Sequence, residues 1–273
     1  MMTPLVYTQH DDICWEGSQR MAEYGLVHGV TQRTGGVSKG LYESLNLALH
    51  TGDDVRSVLE NRRRLCETAK MPFHRLTGCQ QTHEDRIELV TAAFAGRGHD
   101  VYDDGFARTD ALMTNCHGVP LLICIADCVP IILYDPVGPA VAVVHAGWRG
   151  TVQKLAAKTV LHMQKQFGSD PAQVLAYIGP SIGAKDFSVG AEVVQVFKDA
   201  FGGDIAELLT VRNNNYFINL AVANTVQLEA VGVRLDHIAV TATNVCDDNS
   251  GYFSYRRDCG QTGRMAAFAM IPE

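Results

Sequence analysis

The chain has 273 residues, 47% of them hydrophobic, and a formal net charge of −7. That acidic balance argues against a nucleic-acid-binding surface, which is usually basic, and still leaves room for a local basic pocket. The longest apolar runs, such as residues 119–126, are too short to span a bilayer, and the opening MMTPLVYTQHDDICWEG lacks the basic and apolar stretches of a secretory signal.

In chain order, residues 53–70 read as a helix. Val55, Val58, Leu59, Leu65, Cys66 and Ala69 recur at helical spacing, and Asp53 and Asp54 favour its start. Short apolar runs bounded by Gly, Pro or Asp predict strands at 86–90, 119–125, 130–134 and 140–145. A helix is expected over 151–167, with Val152, Leu155, Ala156, Thr159 and Met163 on one face and Gly168 as its stop. A strand at 174–178, helices at 190–201 and 219–231, and strands at 238–241, 252–255 and 265–271 complete the pattern. Strands occur both adjacent and separated by helices, which favours an α+β domain with mixed sheets over a regular doubly wound one. With no repeat, low-complexity tract or linker in view, residues 1–273 read as one domain.

Eight cysteines without a secretory signal predict reduced thiols and a cytoplasmic protein. Cys128 follows an apolar strand in ICIADCVP, and His145 ends the next strand but one. If those strands are neighbours, both side chains lie at one edge of a sheet, and His83 in GCQQTHEDR adds a second imidazole. Two imidazoles and a thiolate suit a three-ligand zinc site with an open fourth position. The same residues also suit a Cys128 nucleophile with His145 as its base, and the spacing alone does not choose between them. There is no H-E-x-x-H helix, no H-x-E with P-C-x-x-C, and no H-x-H pair of the kind multicopper laccases carry.

GGVSKG at 35–40 is neither a Walker loop nor a dinucleotide fingerprint. It reads either as a tight turn or as a loop approaching a ligand, with Arg33 beside it. GPSIG at 179–183 matches G-x-S-x-G, but Pro180 precedes the serine and 184–189 looks extended, so a turn is expected instead of a nucleophile elbow. SYRRDCGQTGRMA at 254–266 gathers Arg256, Arg257 and Arg264, either as a solvated turn or as guanidinium forks for phosphate or carboxylate.

Taken together, TQRTGGVSKGLYESLNLALHTGDD (31–54), ENRRRL (60–65), QTH (81–83), ADCVP (126–130), HAGWRG (145–150), IGPSIG (178–183), FSVGAEV (187–193) and FSYRRDCGQTGRMA (253–266) resemble the YfiH family, also called the laccase-domain or polyphenol oxidase family and purine nucleoside phosphorylases. The resemblance spans nearly the whole chain. It implies an α+β domain with mixed β-sheets flanked by helices, similar to toxins that use a Cys-His pair. It also implies zinc on His83, Cys128 and His145. The implied activity is phosphorolysis of adenosine, inosine and methylthioadenosine, with adenosine deamination. A copper-dependent polyphenol oxidase is the older attribution, which the missing H-x-H pairs oppose, and editing of peptidoglycan precursors has been linked to some members. On this reading the partners are a purine nucleoside and phosphate, with no nucleic acid and no membrane. Arg33, Arg149, Arg256, Arg257 and Arg264 are the phosphate-binding candidates and Asp127 the candidate acid, although an extended strand would point Asp127 away from Cys128. Gly147 and Gly150 would let the backbone pass close to a ligand, and Trp148 would pack or stack on a base. The chain departs from many members in having Asp after Cys246, and in having Asp186 where others have a small residue.

Overall fold

Apolar runs without alternation in this sequence become strands covered on both faces. The computed structural model describes residues 4–10, 12–249 and 251–273. The chain begins with β1 (Leu5–His10), β2 (Ile13–Ser18), α1 (Gln19–Glu23) and β3 (Val27–Thr31). Next come α2 (Val55–Thr68), β4 (Ile87–Leu89), β5 (Ala111–Thr114), β6 (Leu121–Ile125), β7 (Val129–Asp135) and β8 (Ala140–Ala146). Then follow α3 (Trp148–Val152), α4 (Leu155–Phe167), β9 (Leu175–Ile178), β10 (Ser188–Val189), α5 (Ala191–Phe201) and α6 (Ile205–Leu208). Last are β11 (Leu209–Arg212), β12 (Asn215–Ile218), α7 (Leu220–Ala230), β13 (Ile238–Val240) and β14 (Met265–Met270). Among the described residues no helix is long and apolar enough to cross a membrane.

A six-stranded mixed sheet runs β13-β9-β7-β8-β5-β4, and a five-stranded antiparallel sheet runs β1-β2-β3-β14-β6. A small third sheet, β10-β12-β11, stands apart. Residue parity explains how they stack. In β8, Ala140, Ala142, Val144 and Ala146 pack in a core that includes Leu155, Val160 and Met163 of α4 and Ala223 and Leu228 of α7. Val141 and Val143, on the opposite face, pack in a core shared with Ile123 and Ala267 of the five-stranded sheet. In β14, Ala267 and Ala269 belong to that inter-sheet core, whereas Ala266, Phe268 and Met270 pack in a third core with Leu65 and Cys66 of α2. The order is therefore helices, sheet, sheet, helix, and the central strands are buried on both sides, which is why they lack the alternation of a half-exposed strand. The β7–β8 hairpin turns at its far end through residues 136–139, where Val137 is 73% exposed.

The structure bears out the α+β mixed-sheet class and corrects several elements. Strand 252–255 does not form: Ser254 Oγ and the Arg256 backbone N–H bond to the Asp127 carboxylate, leaving that segment outside any sheet. The expected helix at 151–167 starts earlier, at Trp148, and breaks at Lys154, whose backbone is left-handed with φ 62°. GPSIG enters no helix, as expected, but of the stretch 184–189 expected to be extended, 184–186 is a turn and only 188–189 forms a strand. The glycine-rich loop packs tightly on its neighbour. A Cβ on Gly36 would fall 2.0 Å from the Ser44 carbonyl oxygen.

The ENRRRL motif proves to be scaffolding for that loop. Asn61 is fully buried; its Oδ1 accepts from Val37 N at 2.7 Å, and its amide donates to Ser38 Oγ, Ser44 O and Asn46 O. Arg62 donates to the carbonyls of Leu47, Gly98 and His99. Replacing Asn61 with Ala strips these buried groups of their partners, so a loss of about 3 kcal/mol is expected. A urea unfolding midpoint within error of the parent protein would refute this scaffolding role.

Candidate metal centre and its cavity

Register brings the centre together. β7 and β8 are antiparallel neighbours with Val129 opposite Ala146 and Pro130 opposite His145. Cys128 and His145 therefore meet at one end of the pair, though not by the expected neighbours: β6, the strand Cys128 follows, lies in the five-stranded sheet, and it is β7, which Cys128 directly precedes, that adjoins β8. β5 lies on the other side of β8, with Ala111 opposite Val144. This places Asp110 beside His145, and the His145 backbone N–H donates to the Asp110 carbonyl at 2.8 Å. The ligand atoms of His83, Cys128 and His145 all lie within 4.8 Å of one another, a group able to hold a metal ion. The two imidazole rings sit 4.9 Å apart, edge to face.

Asp110, fully buried, organises both histidines. Its Oδ1 accepts from His145 Nδ1 at 2.7 Å and from His83 N at 3.0 Å, and its Oδ2 accepts from Thr82 N and Glu84 N. With Nδ1 donating to the carboxylate, Nε2 of a neutral His145 keeps its lone pair for a metal. The same N–H groups hold the 82–84 loop in place, including His83 with its φ of 63°. Arg108 pairs with Glu84, and Lys158 of α4 pairs with Asp85, bracing the loop from outside. Burial pushes the Asp110 pKa up, but His145 and the N–H donors outweigh it and hold the carboxyl below its ordinary value.

The thiol behaves likewise. Burial pushes Cys128 up, but the adjacent His145 and His83 dominate and bring it down to about 6. Burial pushes His145 down, but Cys128 and Asp110 raise it to about 10. Without a metal the pair therefore favours thiolate and imidazolium; a metal would take the thiolate as it stands and displace the Nε2 proton of His145. Gly147 leaves the room: a Cβ there would lie 3.0 Å from Cys128 Sγ and 3.1 Å from His83 Cδ2. One sulfur and two nitrogens around a shared opening fit a zinc ion with three protein ligands and an open position.

The three side chains open into a cavity of about 650 Å³. Three of the five candidate arginines line it, namely Arg149, Arg256 and Arg264. Arg149 lies over the Trp148 ring at 4.4 Å, and Trp148 both lines the cavity and packs against the core. Arg33 and Arg257 do not line it. Arg33 Nε donates to Glu43 O, and its guanidinium lies 4.5 Å from the Phe253 ring. Arg257 pairs with Asp258 and donates to the carbonyls of Val245, Asp247 and Tyr252. Asp127 does line the cavity, because its φ of 85° breaks the extended path that would have turned it away. Burial raises its carboxyl above the ordinary value despite the bonds from Ser254 and Arg256. Among the described residues no histidine bonds to the Ser181 hydroxyl, in keeping with a turn at GPSIG.

Sequence reading missed two residues of this region. His50 lines the cavity, its pKa lowered to about 4 by burial and by Arg264 and Arg62. Asp110 was visible as an acid directly before the apolar run 111–113, a position where a buried carboxylate needs a purpose.

Fold and site together define an α+β enzyme domain with a His/Cys/His group able to hold a metal ion at the rim of a mixed sheet. Comparison with known proteins places it. The sequence pattern of the family described as multi-copper polyphenol oxidoreductase laccase matches residues 27–272, and the chain belongs to that family. It is 38% identical over 247 residues to purine nucleoside phosphorylase YlmD of Geobacillus stearothermophilus, covering 89% of each chain. It is 34% identical to adenosine deaminase RL5 from an unknown prokaryotic organism, over 83% of this chain and 86% of that protein. The crystal structure of the Geobacillus YlmD superposes with a TM-score of 0.92 at 36% identity, covering 99% of this chain and 100% of that one.

Two outcomes follow from this geometry. Asp110→Asn keeps the shape but loses the carboxylate that orients His145, so zinc affinity is expected to fall about 10–100-fold; competition with a chromogenic chelator measures it, and unchanged affinity counts against the assignment. In metal-free protein, Cys128 should be alkylated by iodoacetamide with a midpoint near pH 6, because the reactive thiolate persists down to about that value. Mass spectrometry of the Cys128 peptide reads this directly, and a midpoint near that of an ordinary thiol would contradict it.

Proposed function

We propose that this chain is a zinc-dependent purine nucleoside phosphorylase of the cytoplasm, acting on adenosine, inosine and S-methyl-5′-thioadenosine, with adenosine deamination as a second reaction. The observation that carries the reading is one cavity lined by His83, Cys128 and His145 and also by the guanidinium groups of Arg149, Arg256 and Arg264. The names of its relatives supply the substrate class.

In phosphorolysis a phosphate oxygen bonds to C1′ as the C1′–N9 bond breaks. The base leaves after gaining a proton, and the pentose leaves as its 1-phosphate. The arginines offer planar forks for the phosphate oxygens. Among the described residues the Arg149 guanidinium makes no hydrogen bond, so its donors are available to an anion. The apolar wall of Phe187, Val189, Val193 and Leu220 suits a purine face or a methylthio group and keeps water from the reacting carbon. His83, Cys128 and His145 hold the metal, with Asp110 fixing the tautomer of His145. Zinc in this position supplies Lewis acidity, which can polarise a substrate oxygen or acidify a water molecule. In deamination, water adds at C6 of adenine and ammonia leaves, with no need of phosphate.

Zinc is favoured over the copper oxidase because a multicopper centre needs several ligand sets, and among the described residues one group of three is found. The Cys128 nucleophile with His145 as base uses the same pair, and elemental analysis separates the two readings.

Zinc-loaded protein given inosine and phosphate should release hypoxanthine and ribose 1-phosphate. Absence of phosphate-dependent base release from inosine, adenosine and methylthioadenosine would falsify the proposal. His145→Ala should cost roughly a hundredfold or more in kcat while leaving the fold intact. Arg149→Ala should mainly raise the KM for phosphate, because a fork is lost while the metal ligands stay.

A further inference from the structure

We propose that Asp127 is a positioning residue: it anchors the 254–256 segment against the cavity and thereby sets the Arg256 guanidinium across it. The kinetic consequence rests on the phosphorolytic reading above, while the anchoring itself does not.

Both carboxylate oxygens of Asp127 are engaged. Oδ1 accepts from Ser254 Oγ at 2.6 Å and Oδ2 accepts from the Arg256 backbone N–H at 2.6 Å. The Asp127 carbonyl accepts from Ile182 N at 2.9 Å. One residue thus joins three pieces of chain: the approach to Cys128, the arginine-bearing segment and the GPSIG turn. Its φ of 85° is left-handed, a conformation that Asp and Asn tolerate better than other residues with side chains. Straight continuation of β6 would have carried the carboxylate away from these partners. As a general acid, Asp127 would need a proton on an oxygen that now faces a donor.

The anchored segment reaches across the cavity. Arg256 Nη1 donates to Asp186 O at 3.0 Å and to Ser188 Oγ at 3.2 Å, and its guanidinium lies 5.7 Å from the Phe187 ring. Among the described residues Arg256 Nε and Nη2 make no hydrogen bond, so donors remain for an anion. Arg256 is exposed, and without the backbone anchor its position would rest on the contacts of its own guanidinium with the 186–188 segment. A flexible arginine binds an anion less well than one already held in place, because its ordering entropy is charged to binding.

The test uses the zinc-loaded full chain and compares Asp127→Asn, Arg256→Ala and the double variant. Asn tolerates the left-handed backbone, so D127N keeps the chain path and puts an amide nitrogen where an acceptor stood. R256A removes the guanidinium and keeps the backbone N–H. Hydrogen exchange of the 254–257 amides should speed up at least about tenfold in D127N, with the 143–147 strand end unchanged. The KM for phosphate should rise roughly tenfold in D127N with kcat altered less than about twofold, and both limbs of the pH profile should stay. The double variant should be no worse than R256A alone, because the two act through one guanidinium. Unchanged exchange in D127N overturns the anchor. A collapse of kcat at constant phosphate KM, with one limb of the pH profile lost, overturns positioning in favour of acid catalysis. If the parent protein shows no phosphate-dependent base release, the phosphorolytic reading has failed and the exchange result alone decides whether Asp127 anchors the segment.

Discussion

The site depends on one buried carboxylate accepting four hydrogen bonds. Asp110 fixes the His145 ring and, through three successive backbone N–H groups, the loop that carries His83. Without it, two imidazoles and a thiolate would converge only loosely, since His83 sits on an irregular loop rather than on a strand. The carboxylate is buried at low cost because each of its acceptor positions meets a donor. Strand pairing supplies the rest. β5, β8 and β7 lie side by side, and their ends deliver Asp110, His145 and Cys128 to one rim.

The second half of the cavity is built differently, from loops tied to one another by side chains. Asn61 and Arg62 of α2 hold the 37–48 loop, Asn46 of that loop accepts from the Arg264 backbone N–H, and Leu47 N donates to the Arg264 carbonyl. A helix on the outer layer is thus connected by hydrogen bonds to an arginine that faces the cavity. Such networks hold irregular backbone in place where neither a sheet ladder nor an apolar core can do so.

How far the sequence revealed this follows from the same physics. The strands β6 to β9 were legible because burial on both faces leaves long apolar runs. β2 and β3 were not, because they carry Glu16, His28 and two glycines; Glu16 is fully buried yet satisfied by Tyr177 of the facing sheet and by Thr243, a pairing that no local pattern reveals. The break at Lys154 left no trace because it involves neither glycine nor proline. Cys128 and His145 were legible as polar residues beside the ends of apolar strands. The arginines were legible only as a group, since whether a guanidinium faces a cavity or a backbone carbonyl depends on distant chain: Arg257 is consumed by Val245 and Asp247, and Arg33 by Glu43. Asp127 looked misdirected because its left-handed backbone cannot be read from the residue type.

The β7–β8 hairpin has two ends with opposite characters. One end carries Cys128 and His145; the other turns in solvent at Val137, beyond two strands of seven residues each. At about 3.3 Å per residue, the seven-residue strands set the turn roughly 23 Å from the His83, Cys128 and His145 group. It is joined to that site by two paired strands that are buried along their whole length. A dye or spin label attached at Val137 would therefore report distances to the cavity loops from a fixed vantage point, without entering the chemistry it observes.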